Sequence, residues 1–164
     1  MKIKIFAYIV LVVFLCISCS KKILPKSVIN EKSLDLQVLE AYKEGVKSLE
    51  SGDVLYAAKK FNEAEVLFPQ SVWAPKSALM AAYSYYAQDY YGDAIAELER
   101  FKKVYPKHKN IDYANYLLAI CYYEQIVDEK KDLNSIIQAK ENFHFIIKNY
   151  PNTEYSLDAE FKID

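Results

Sequence analysis

The stretch VLEAYKEGVKSLESGDVLYAAKKFNEAEVLFP, residues 38–69, carries the reading of the fold. Gly45 and Ala57 are small residues placed 12 apart, Phe61 and Ala64 follow, and Pro69 closes the segment. Ser51-Gly52-Asp53 interrupts a run otherwise rich in alanine, leucine, lysine and glutamate, so the pattern predicts two helices joined by a tight turn. Small residues where the helices cross allow close approach, and the phenylalanine fills the space beside the crossing. Proline then ends the second helix, since it has no N–H to donate and its ring clashes with the preceding turn.

The same unit recurs twice. An aromatic precedes proline at Phe68-Pro69, Tyr105-Pro106 and Tyr150-Pro151, with separations of 37 and 45 residues. Aligned on those prolines, Ala82, Ala94, Leu98 and Phe101 take the marked places of a second unit, and Ala119, Ala139, Phe143 and Ile146 those of a third. The two small residues lie 12 apart in the second unit and 20 apart in the third, which places eight extra residues around Asp128–Ser135 in its turn. Three such units in tandem match the tetratricopeptide repeat (TPR), a helix-turn-helix of about 34 residues. The expected fold class is therefore all-α, an α-solenoid of TPR units. The repeats are expected at about 38–71, 75–108 and 112–153, with a fourth beginning at 154–164. Pro75 is expected at the first position of its helix.

Composition narrows the function. Hydrophobic residues make up 52% and charged residues 26% of 164, the balance of a folded chain. Three glycines cannot build a phosphate-binding loop, and two histidines with one arginine leave little for metal or phosphate chemistry. The formal net charge of −1 gives no basis for a nucleic-acid partner.

Met1–Cys19 reads as an export signal, with Lys2 and Lys4 ahead of an eleven-residue apolar run from Ile5 to Leu15. That run has signal-peptide length and is too short for a membrane span. Ser18 then precedes Cys19, an arrangement that resembles the bacterial lipobox, although Cys16 stands where leucine is usual. Residues 1–18 are therefore expected to be removed and Cys19 to be lipidated, with palmitate among its acyl chains. Cys16 is the poorer acceptor because Phe14 and Leu15 precede it. An uncleaved signal anchor is the other reading. Ser20, where lipoprotein sorting rules would place aspartate for inner-membrane retention, points to the outer membrane. Residues 19–37 form the anchor and a polar tether containing Pro25, and 38–164 the TPR domain.

No catalytic constellation is visible, and the chain is read as no enzyme, with no cofactor and no metal site. Cys121, among Leu118, Ala119 and Tyr122, reads as a small core residue. His108 lies in a polar turn, and His144, beside Phe143 and Phe145, is expected to pack. The informative excess is tyrosine, 15 of 164 residues. In a TPR one stripe of the first helix faces the inside of the repeat, and the neighbouring stripe lines a concave groove. That second stripe holds Leu39, Tyr42, Val46 and Leu49, then Lys76, Leu79, Tyr83 and Tyr86, then Tyr113, Tyr116, Ile120 and Tyr123. Two readings of Tyr42, Tyr83, Tyr86, Tyr113, Tyr116 and Tyr123 stand. They form a peptide-binding groove, rigid apolar area with hydroxyls for an extended backbone, or they pack against adjacent helices.

A lipoprotein signal followed by these repeats, with Tyr105-Pro-Lys-His-Lys-Asn-Ile-Asp-Tyr113, Leu117–Val127 (LLAICYYEQIV) and Tyr150-Pro-Asn-Thr-Glu-Tyr-Ser-Leu-Asp-Ala159, resembles the BamD (ComL) family over about Glu40 to Asp164. The resemblance implies a lipid-anchored subunit of the machinery that assembles β-barrels, on the periplasmic face of the outer membrane. Its implied partners are the barrel-forming subunit, other lipoproteins of that complex and unfolded outer-membrane protein clients. The N-terminal repeats are implied to recognise the clients' C-terminal strand. A different periplasmic TPR lipoprotein, coordinating cell-wall or envelope processes, is the alternative. Residues 153–164 open a fourth repeat, capped by Thr153 or Asn152, in which Phe161 and Ile163 would lack the neighbour that normally covers them. The expectation is a shortened family member whose last helix frays.

Overall fold

A computed structural model describes residues 33–126 and 133–163. The expected export signal, Cys19, the tether through residue 32 and residues 127–132 of the inserted turn lie outside the described residues. Those described form seven helices and no strand, as an all-α repeat protein should: α1 (Leu34–Glu50), α2 (Val54–Leu67), α3 (Trp73–Tyr86), α4 (Tyr91–Val104), α5 (Ile111–Glu124), α6 (Leu133–Asn149) and α7 (Glu154–Ile163). No helix among them is long and apolar enough to cross a membrane.

Helix ends follow local chemistry. The Ser33 hydroxyl accepts from the Leu36 amide at 3.4 Å and Asp35 sits in the first turn, where an acceptor and a negative charge both stabilise a helix start. Helix α1 thus begins four residues ahead of the expected boundary at 38, so the end of the expected tether is helical. The Asp53 carboxylate caps α2 through the Tyr56 amide at 3.2 Å. Gly52, at φ 83, turns the chain between α1 and α2, and Asp89 takes the matching left-handed place between α3 and α4 at φ 62. Helices α2, α4 and α6 each stop two residues before a proline. Phe68 (φ −147, ψ 79) and Tyr105 (φ −123, ψ 50) are forced out of helical geometry there.

Two boundaries differ from expectation. Helix α3 starts at Trp73, so Pro75 is its third residue rather than its first. Its missing N–H still falls among the four that have no acceptor within the helix. Helix α6 takes in Leu133–Ser135, so part of the expected insertion is helix, and α6 runs 17 residues where α2 and α4 run 14.

Packing confirms the register of small and large residues. Gly45, Ala57, Ala82, Ala94, Ala119 and Ala139 are buried, with Phe61, Leu98 and Phe143 between them. A Cβ on Gly45 would come within 2.8 Å of the Phe61 ring, so this crossing admits nothing larger than glycine without movement. Each helix packs on the next, and in addition α1 meets α3 and α5 meets α7. In those two pairs the first helices of successive repeats adjoin, which puts them on the inner face. Between the second helices α2 and α4 the gap is spanned by long polar side chains. Glu65, only 7% exposed, accepts two bonds from the Arg100 guanidinium at 2.8 and 2.6 Å and one from the Tyr105 hydroxyl at 2.8 Å. Arg100 also donates to Glu97 at 2.9 Å.

Four smaller expectations resolve here. Cys121 is fully buried. Thr153, not Asn152, caps α7, its hydroxyl accepting from the Ser156 amide at 3.2 Å. His144 does not pack but is exposed, because the stripe that buries Phe143 turns the next residue about 100° outward. At the end of α7 Phe161 is 81% exposed, as anticipated, whereas Ile163 is half-buried against the Phe143 cluster.

Candidate functional site

The tyrosine stripe divides in two. Tyr42, Tyr83 and Tyr113, one from each of α1, α3 and α5, share a cleft of about 400 Å³ with Lys76, Leu79, Met80, Lys109 and Asn110. Tyr42 is held by rings on both sides, Phe61 at 5.3 Å and Trp73 at 5.0 Å. Tyr113 leans on Tyr155 at 5.7 Å, and burial pushes its phenol up to about 12. Tyr83 stands at the mouth, 36% exposed. Leu79 and Met80 floor the cleft between them.

Tyr86, Tyr116 and Tyr123 do not line this cleft. Tyr86 is half-buried in the core between Tyr83 and Tyr91, each ring at 6.2 Å. Tyr116 stacks on Tyr155 at 5.0 Å and donates its hydroxyl to Asp158 at 2.6 Å, so α7 covers it. Tyr123 packs edge-on to Phe143 at 6.0 Å. It lines a smaller cavity of about 170 Å³ with Ile126, Ile136, Phe143, Lys162 and Ile163. Packing thus describes these three, while Tyr42 and Tyr113 pack in part against the core and also line the cleft beside the more exposed Tyr83.

The cleft is apolar at its floor and basic at its rim. Lys76 lies over the Trp73 ring at 4.8 Å, and among the described residues no carboxylate lines the cavity. Next to it, burial and the positive charges of Lys109 and Lys76 lower the pKa of His108. This histidine is held edge-on against Phe101 at 5.6 Å, and its Nδ1 accepts from the Asn110 amide at 3.3 Å. Helical periodicity missed Lys109 and Asn110, which reach the cleft from the turn between α4 and α5. The available signal was the string Tyr105–Tyr113 itself, which supplies Lys109, Asn110 and Tyr113 together. Among the described residues no group of three or more histidine, cysteine or acidic side chains gathers to hold a metal.

Successive TPR-like helix pairs with an aromatic cleft on the face of their first helices define the class, an all-α helical-repeat protein. The family model described as outer membrane lipoprotein, YfiO, matches residues 34–164, and the chain belongs to this family. Similar curated proteins include the outer membrane protein assembly factor BamD of Caulobacter vibrioides, 38% identical over 149 residues, with 91% of this chain and 47% of the relative covered. BamD of Rickettsia prowazekii is 31% identical over 139 residues, covering 85% of this chain and 55% of the relative. BamD of Neisseria gonorrhoeae is 30% identical over 138 residues, covering 76% and 51%. The chain spans about half the length of these relatives.

Proposed function

We propose that this chain acts in outer-membrane protein assembly as a lipid-anchored TPR scaffold, its inner cleft receiving an extended segment of an unfolded β-barrel client. The observation that carries the reading is the cleft itself. Three tyrosines from three successive first helices converge on one open apolar surface, in a chain whose family is that of outer membrane lipoproteins. Tyrosine suits such a role, offering rigid apolar area with a hydroxyl that can meet an extended backbone. Relatives named as assembly factors support the process. Acylation at Cys19 would hold the repeats at the periplasmic face of the outer membrane, since multiple acyl chains make an attachment durable. The barrel-forming subunit and the other lipoproteins of the assembly complex are the partners this role requires. No catalytic step is assigned, and the function is binding and positioning.

The test is direct. A peptide with alternating apolar residues and a terminal aromatic should bind the full chain, and a scrambled peptide of the same composition should bind at least tenfold more weakly. Equal binding of the two would remove the client-groove reading. The anchor is checked separately: Cys19→Ala should abolish incorporation of labelled palmitate, and continued labelling would move the acceptor to Cys16.

A further inference from the structure

We propose that the groove between α2 and α4 is a second docking surface, which takes a lysine or arginine side chain presented between apolar residues by a partner protein. It lies on the side of the second helices and shares no residue with the cleft of Tyr42, Tyr83 and Tyr113.

Charge and exposure carry the inference. The groove encloses about 450 Å³, with Val66 and Pro69 on one bank and Val104 and Tyr105 on the other. Val66 is 74% exposed and Val104 53%, so aliphatic surface stands open on both sides. Between them two carboxylates, Glu65 and Glu97, face one guanidinium, which leaves a surplus of one negative charge. The donors present are already engaged. Arg100 gives Nε to Glu97 and both terminal nitrogens to Glu65, and Tyr105 gives its hydroxyl to Glu65. Asn62 turns its Nδ2 toward Glu97 at 3.4 Å, and its Oδ1 has no donor. Among the described residues that line the groove, Arg100 is the only cation. What the groove lacks is a further donor with positive charge.

Other occupants fit worse. A neutral apolar segment would strip water from the surplus charge and return no hydrogen bond, which is costly. An acidic peptide or an anionic lipid surface would meet like charge. A lysine or arginine lays its aliphatic stem along Val66 and Val104 and brings its head to a carboxylate, where a charge-assisted bond forms. That carboxylate is Glu97. Glu65 is only 7% exposed and already accepts three bonds, whereas the Glu97 side chain is 20% exposed.

The experiment uses the full chain in detergent micelles and three N-terminally labelled peptides, read by fluorescence anisotropy. All are amidated, share one valine-rich sequence without aromatic residues, and differ at a central residue: arginine, citrulline or glutamate. Citrulline keeps the shape of arginine without its charge. The arginine peptide should bind about tenfold more tightly than the citrulline peptide, as a charge-assisted contact implies, and the glutamate peptide should bind least. Glu97→Gln should lower the arginine peptide to the citrulline level. Glu99→Gln removes the same charge from α4 outside the groove and should leave it unchanged. Val66→Ser should weaken the arginine and citrulline peptides alike. Val66 is exposed, so the helicity of that variant by circular dichroism should match the parent chain, and it tests the groove even if Glu97→Gln disturbs the fold. Equal binding of the arginine and citrulline peptides, or binding by neither, would overturn the proposal. Equal losses with Glu97→Gln and Glu99→Gln would overturn it in favour of general attraction to the chain's acidic groups. Loss with Tyr83→Ala would overturn it by placing the peptide in the cleft of the first helices. Self-association of the chain that Val66→Ser abolishes would overturn it in favour of a second copy.

Discussion

Cys121 lies fully buried on α5, and burial pushes its thiol from an ordinary value of 9.0 up to about 12. On the same helix Tyr113 rises from 10.0 to about 12 for the same reason. In both cases the folded chain holds its proton more tightly than the unfolded chain. Between the two values the unfolded state binds fewer protons, so stability must fall as pH rises. The expected curve is level to about pH 9 and then declines toward pH 12, as the thiol and then the phenol are held neutral against the solution. Thermal unfolding followed across pH 7–12 checks it. Cys121→Ala should move the onset of the decline up to about pH 10, whatever the variant's stability at neutral pH. An unchanged onset would mean that the thiol does not contribute. The burial of Cys121 was legible from its apolar neighbours Leu118 and Ala119. The exposure of His144 was not, because aromatic neighbours in sequence point about 100° away on a helix and say nothing of its own face.

At the scale of elements, the helices were readable because glycine, alanine and proline fall where close crossings and helix ends require them. What sequence could not supply was how neighbouring second helices are joined. A solitary arginine suggested only that phosphate chemistry was absent. In the folded chain Arg100 is the clasp between α4 and α2, paired through both terminal nitrogens with the buried Glu65, while Glu97 and Tyr105 complete the set. The pairing joins residues 35 apart in sequence, a distance at which no local pattern operates. Removing one member leaves the other charge buried and unpaired, which costs about 3–5 kcal/mol in a dry interior. Arg100 has a side chain 39% exposed, so solvent screens part of that loss, and Arg100→Met is expected to destabilise the fold by about 2–3 kcal/mol. Glu65→Gln keeps one accepting oxygen and turns the other into an amide donor facing the guanidinium. The charge it leaves unpaired, Arg100, reaches solvent and keeps Glu97, so this variant should cost less. Chemical denaturation of the three chains gives the ranking, and an Arg100→Met chain as stable as the parent would show that the clasp holds nothing.

At the scale of the molecule, one stripe of tyrosines both packs the fold and, in the proposed role, offers surface to a partner. Periodicity placed Tyr83 and Tyr116 on the same face, because both fall on the groove stripe of their helices, one turn apart in register. It could not show that α7 folds back over α5, stacking Tyr155 on Tyr116 and taking its hydroxyl with Asp158, while Tyr83 stays open at the cleft mouth. The two residues should therefore respond differently to truncation. Tyr83 is 36% exposed, so Tyr83→Ala is expected to lower the unfolding free energy by about 1–2 kcal/mol, less than Tyr116→Ala does. It should also weaken client-peptide binding by about 1–2 kcal/mol, as loss of an aromatic interface anchor does. Tyr116→Ala strips the platform under Tyr155 and leaves Asp158 without its donor, so it should cost about 2–4 kcal/mol of stability. Peptide affinity of the folded fraction should stay near the parent value, since Tyr116 lies outside the cleft. Unfolding curves and peptide titrations on the same two variants separate these effects. If Tyr83→Ala destabilised the fold as much as Tyr116→Ala while peptide affinity held, the open end of the stripe would be core, and the cleft would have no claim on a client.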